Sequence, residues 1–531
     1  NTVIDGITEY VNPTPNIITQ NQYTGRIDWE KGEKTRIFGR FTYFDDYSFK
    51  TGLAPIAGEQ NPYGSINPVI SWVQTLSPNA VNNLTVSYTR GHWADARATN
   101  GIGNISQELG LINTSDNPGG PAVNVTGYSV ASSGYSSVVD LENNFQFKND
   151  FSMTKGRHDL KFGVQINNRR AHYNNDAYGK GLLSFQDVYT AACPLGNAAC
   201  TAAMHTAGLT AGGLAFADYM LGAAGEARLQ KQGAIYNASG MYYGGYAQDS
   251  WRVFSRLTLN LGLRYDYWTP WLNIRGMAVR WDSSTGNVVY ALANPLDYLN
   301  PTTGFGRNAP LNPGESRAGY TTGKKDFAPR AGLAYLLTPS TTVRSGVGIY
   351  FDGNANLNQF SSVQSGAGPF GLALDNVVAG NEQLPPILAS EQFPAPPPTA
   401  IAAPSTTHPI SVRVIGSGYY PTPTVYQWTF SVQHRPGADW VIEATYLGTH
   451  SIRSNQFVDR FRPYQPVGAR ANVHIQQRRQ FPGWGSVQTW ANLGWARYNA
   501  VTTSIKTPRW RGLTLMSWIA FSRDSQWLAR Y

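Results

Sequence analysis

Residues 256–268 read Arg-Leu-Thr-Leu-Asn-Leu-Gly-Leu-Arg-Tyr-Asp-Tyr-Trp. Strand side chains alternate with period two, so Leu257, Leu259, Leu261, Leu263, Tyr265 and Tyr267 share one face. Thr258, Asn260, Gly262, Arg264 and Asp266 share the other. A strand in a soluble sandwich does this over about five or six residues. Here the alternation persists for about eleven, the length a tilted strand needs to cross a bilayer. Its aromatic end, Tyr265, Tyr267 and Trp268, suits a membrane–water interface.

The pattern recurs in fourteen segments, near 22–30, 35–44, 69–77, 82–92, 143–153, 157–168, 238–253, 256–268, 327–337, 341–351, 424–434, 439–447, 497–507 and 512–522. They form seven pairs joined by tight turns around Lys31-Gly32-Glu33, Ser77-Pro78-Asn79, Lys155-Gly156, Phe254-Ser255, Thr338-Pro339-Ser340, Arg435-Pro436-Gly437 and Pro508 to Gly512. Between pairs lie long segments rich in Gly, Asn, Ser and Pro, without sustained periodicity. Short turns at one end and long loops at the other predict an all-β, antiparallel transmembrane barrel of the outer membrane, with periplasmic turns and extracellular loops. The expected orientation puts Leu257, Leu259, Leu261, Leu263, Val347, Ile349 and Phe430 against lipid. Arg40, Lys161, Arg264, Arg330 and Arg344 then face the lumen.

Composition fits this reading. Charged residues are 14% of the chain, against about 25% in soluble domains. Mean hydropathy is −0.33, because lumen residues and loops dilute the apolar band. The alternative, a string of soluble sandwich domains, needs linkers that the hairpin-and-loop rhythm does not contain. The net charge of +9 reads as ordinary surface charge, since no nucleic-acid motif accompanies it. On the polar strand face, basic residues outnumber the acids Asp28, Asp159, Asp266 and Glu443. That excess could meet acidic groups of a plug or favour anionic solutes.

Cys193 and Cys200 lie close together in one long loop and predict a disulfide in an oxidising compartment. No catalytic constellation, cofactor motif or metal cluster appears, and no enzyme is expected. The spaced oxygens from Asp352 to Asn356 could hold calcium but read first as the start of a loop.

Tyr246-Ala247-Gln248-Asp249-Ser250-Trp251-Arg252, followed by Leu257 to Tyr265, resembles the mid-barrel signature of TonB-dependent receptors, and within them the Oar-like branch. Tyr23-Thr24-Gly25-Arg26, Lys161-Phe162-Gly163, Phe216-Ala217-Asp218-Tyr219, Phe327-Ala328-Pro329-Arg330, Gln427-Trp428 and Tyr446-Leu447-Gly448 continue it in order. The resemblance implies uptake of a scarce solute through a plugged barrel, driven by the TonB complex acting on a plug domain that is not recognisable in this chain. It also implies twenty-two strands, so that 22–531 would be a barrel incomplete at both ends and 1–21 a lead-in to it. A structural or adhesive surface protein anchored by the barrel, and a passive porin, are the alternatives. Expected partners are outer-membrane lipid, TonB and an unknown solute or surface protein; nucleic acid is not among them.

Overall fold

The computed structural model describes residues 2–4, 7–9, 13–52, 58–97, 103–111, 114, 119–128, 138–175, 179–187, 189–193, 197–208, 212–232, 236–296, 309–353, 371–377, 387–388, 404, 410–416, 418–437, 440–459, 461, 478–510 and 512–527. The segment from Asn354 to Asn356, named above for calcium, lies outside them.

Fourteen long strands follow the meander: β1 (Ile17–Lys31), β2 (Thr35–Lys50), β3 (Glu59–Ser77), β4 (Ala80–Arg97), β5 (Val138–Lys155), β6 (His158–Asn175) and β7 (Tyr236–Phe254). The series continues with β8 (Leu257–Trp268), β9 (Asp326–Thr338), β10 (Thr341–Phe351), β11 (Thr424–Gly437), β12 (Trp440–Asp459), β13 (Trp484–Trp510) and β14 (Leu513–Trp527). Each pairs antiparallel with the next in chain order, from β1 to β14. Among the described residues no register joins β1 to β14, and β1 is exposed along its whole length. All the tight turns therefore lie at one end of the sheet and all the long connections at the other.

Several strands outrun the lengths the sequence suggests. β1 begins at Ile17, β12 continues to Asp459, and β13 starts at Trp484. The apolar alternation marks only the part of a strand that needs an apolar face. The backbone ladder continues past it, because extended chains in register keep satisfying their N–H and C=O groups.

The registers align the two faces across the sheet. On one, Leu160, Phe162 and Val164 (β6), Leu261 and Leu263 (β8), Val347 (β10) and Phe430 (β11) continue one apolar surface. Leu263, Val347 and Phe430 are 50%, 57% and 48% exposed. Aromatics including Trp72, Phe145, Tyr243, Phe327 and Tyr446 are exposed on the same face. A soluble monomer rarely exposes apolar surface this continuous.

The connections are not structureless. The hairpin Val279–Asp282/Asn287–Tyr290 and the segment Ile410–Ile415, parallel to the start of β13, build a roof at the loop end. Its dry interior contains Met277, Val279, Trp281, Leu292, Val414 and Trp484. A second small sheet pairs Ala122–Val125, Leu182–Phe185, Glu226–Gln232 and Gly371–Val377. The alternation in Ile410-Ser411-Val412-Arg413-Val414-Ile415 was a legible signal for the roof, but six residues are too few to separate from a chance run. Two helices, Ala198–Thr206 and Ala215–Leu221, also lie in loop sequence.

Candidate functional site: the roofed polar face

The face opposite the apolar band carries Arg40, Lys161, Arg264, Arg330 and Arg344, all brought onto one side by the registers. At its loop end the roof closes over it. Ala171 and Tyr173 of β6 and Tyr236 and Ala238 of β7 pack with Trp271, Tyr320, Ile415, Tyr420 and Trp490. Tyr320 is the hinge of this contact: its hydroxyl accepts the Trp271 backbone N–H at 2.8 Å. Burial pushes the Tyr320 hydroxyl well above its ordinary pKa. The Arg169 guanidinium lies 4.5 Å from the Trp271 ring.

Beneath the roof is a compact polar network. The Arg264 Nε donates to Asp266 Oδ1 at 2.8 Å, and the Tyr242 hydroxyl donates to the same oxygen at 2.5 Å. Arg264 Nη2 also donates to the Tyr242 hydroxyl. Gly244 makes room, since a Cβ there would meet both Tyr242 and Arg264. Asp326 accepts from the Thr422 hydroxyl at 2.5 Å. Lower down, Tyr246 crosses the bare backbone of Gly163 to donate to Asp150 at 2.7 Å, and Lys148 pairs with that carboxylate. Arg330 lies 4.3 Å from the Tyr350 ring. Arg40 and Arg344 donate to the amide oxygens of Asn67 and Gln433.

The excess of basic residues expected on this face needs correcting. The registers also place Asp46, Asp140, Glu142, Asp150 and Asp326 there, so acids nearly balance bases. Asp150 alternates with Lys148 in the sequence and could have been counted. Asp46, Asp140 and Glu142 lay beyond the expected strand ends. The structure also puts Asp249 on the apolar face, opposite Leu261 and Leu160, where it meets His158 Nδ1 at 2.7 Å.

Cys193 and Cys200 form a disulfide, with Cα atoms 5.7 Å apart. Nearby, the buried Asp218 accepts the backbone N–H groups of Tyr189 and Thr190 at 3.1 and 2.8 Å. Among the described residues no cluster of three His, Cys, Asp or Glu is placed to hold a metal, and no helix is long and apolar enough to cross a membrane.

A long antiparallel meander with one exposed apolar face, one polar face, tight turns at one end and long loops at the other defines an outer-membrane β-barrel protein. The chain belongs to the outer membrane beta barrel domain family, whose model matches residues 1–526. Among solved structures it is similar to the outer membrane transporter YddB from Escherichia coli, at 12% identity and TM-score 0.51, over 96% of this chain and 48% of that one. It is also similar to the FrpB iron transporter from Neisseria meningitidis (F5-1 variant), at 10% identity and TM-score 0.49, over 96% and 54%. The alcaligin outer membrane receptor FauA from Bordetella pertussis matches at 9% identity and TM-score 0.45, over 96% and 54%. The chain thus spans about half the length of these proteins. No curated protein matches it.

Proposed function

We infer that this chain is the barrel of a TonB-dependent receptor of the Oar-like branch. In this reading the polar face lines a lumen, the apolar face meets lipid, and an energised plug domain moves a scarce solute through. The observation that carries it is the continuous polar face closed at its loop end by a roof with a dry aromatic core. A permanently open pore has no use for such a roof. The near balance of charge inside the lumen supports no preference for anionic solutes.

Two measurements test this. The full-length protein in a planar bilayer should conduct no ions, whereas steady conductance would identify a passive pore. Cells expressing it should lose accumulation of its solute when TonB is deleted. Accumulation that survives the deletion would overturn energised uptake.

A further inference from the structure

The apolar face changes character along one line near its loop end. On β4 to β7 it carries Val86 and Tyr88, Phe147 and Phe145, Val164 and Ile166, and Tyr243. It then turns polar. Arg90 stands opposite Asn143, Asn143 opposite Arg170, and Arg170 opposite Ser239, in one row across four strands. The next row reads His92, Leu141, His172, Asn237. Neither row contains a carboxylate. With strands about 4.8 Å apart, Arg90 and Arg170 are about 10 Å apart with Asn143 between them. Among the described residues neither arginine forms an ion pair.

A cavity of about 850 Å³ opens beside this row. Arg170, His172 and Lys324 supply its basic wall, and Tyr267, Leu272 and Ile274 its apolar one. No Asp or Glu lines it. The acids Asp140 and Glu142 are on the opposite face, with the sheet between.

We propose that the Arg90–Asn143–Arg170 row and its cavity bind the phosphate of a phosphorylated glycolipid in the outer leaflet. The proposal rests on the reading that the apolar face meets lipid. Guanidinium forks match phosphate oxygens in geometry and charge. The row begins where the exposed aromatic band ends, which is headgroup depth. A freely soluble anion would gain nothing from Leu272 and Ile274, whereas the sugar and upper acyl carbons of a lipid would cover them.

The test uses the full-length protein in nanodiscs containing bisphosphorylated lipid A or its dephosphorylated form, with bound lipid measured by native mass spectrometry. Wild type should retain the phosphorylated lipid selectively. Arg90→Gln/Arg170→Gln should weaken retention roughly thirtyfold, a factor of about five for each charge. Arg435→Gln, in a turn at the far end, should change nothing. Heat-modified gel migration checks that each variant is folded. Equal retention of both lipids, equal retention by the double variant, or displacement by inorganic phosphate at the same concentration would overturn the site. A spin label at Val347→Cys separates the two readings. If oxygen relaxes it and a water-soluble nickel complex does not, the face meets lipid and only the phosphate site has failed; the reverse removes both.

Discussion

Asp266 and Asp326 stand directly opposite one another across β8 and β9, and both are buried. Two carboxylates in that position repel, and the surroundings treat them differently. Asp266 is held by Arg264 and Tyr242, Asp326 by a neutral hydroxyl. Asp266→Asn should therefore destabilise by about 2 kcal/mol. This is less than the roughly 3–5 kcal/mol for breaking a fully buried pair, because Arg264 keeps 22% of its side chain exposed. Asp326→Asn should cost less than about 1 kcal/mol, since the amide oxygen still accepts from Thr422 and one repulsive charge is gone. Urea unfolding in vesicles measures both. The opposite ranking would refute this account of the network.

The two faces should tolerate charge differently. Leu261→Arg, on the apolar face, should cost about 2–4 kcal/mol if that residue lies near the bilayer midplane. Gln248→Arg, on the polar face of the neighbouring strand, should cost well under that. Yield of folded barrel after reconstitution gives the comparison. Equal effects at the two positions would mean that the faces are not distinguished by lipid.

Reducing the Cys193–Cys200 disulfide should loosen its own loop and leave the barrel intact. For a closed loop this short the chain-entropy contribution is about 2–3 kcal/mol, and it is local. Cys193→Ser/Cys200→Ser should cleave faster under limited proteolysis near 186–222 at unchanged barrel melting temperature. A drop in barrel melting would show that the loop supports the sheet.

The roof should open in alkali. Burial raises the hydroxyl pKa of Tyr320 and Tyr420 above the ordinary value of 10.0. A group whose folded pKa is raised contributes stability that is intact below its unfolded pKa, near 10, and is lost as pH rises toward the folded value. Near-ultraviolet circular dichroism should hold steady to about pH 10 and decline above it. Absorbance at 295 nm should show these tyrosines ionising late. Tyr320→Phe should diminish the alkaline step. Full tyrosine ionisation near pH 10 with the dichroism unchanged would contradict it.

The sequence by itself determined the strands, their hairpin pairing and the two faces. Leu257 to Tyr267 against Thr258 to Asp266 is a pattern of period two, and in a sheet that period alone assigns each side chain to a face. The same holds for Arg40, Lys161, Arg330 and Arg344. The disulfide was also legible, because Cys193 and Cys200 share one loop. Only the tertiary structure decided what stands beside what across the strands. Register brings Asp266 to Asp326 and Arg90 to Asn143, although each pair is separated by a loop that carries no periodic signal. The roof is the extreme case: Val279 and Val414 come from two distant connections and Trp484 from the start of β13. Each segment is too short to announce itself, and they become one structure only because together they exclude water.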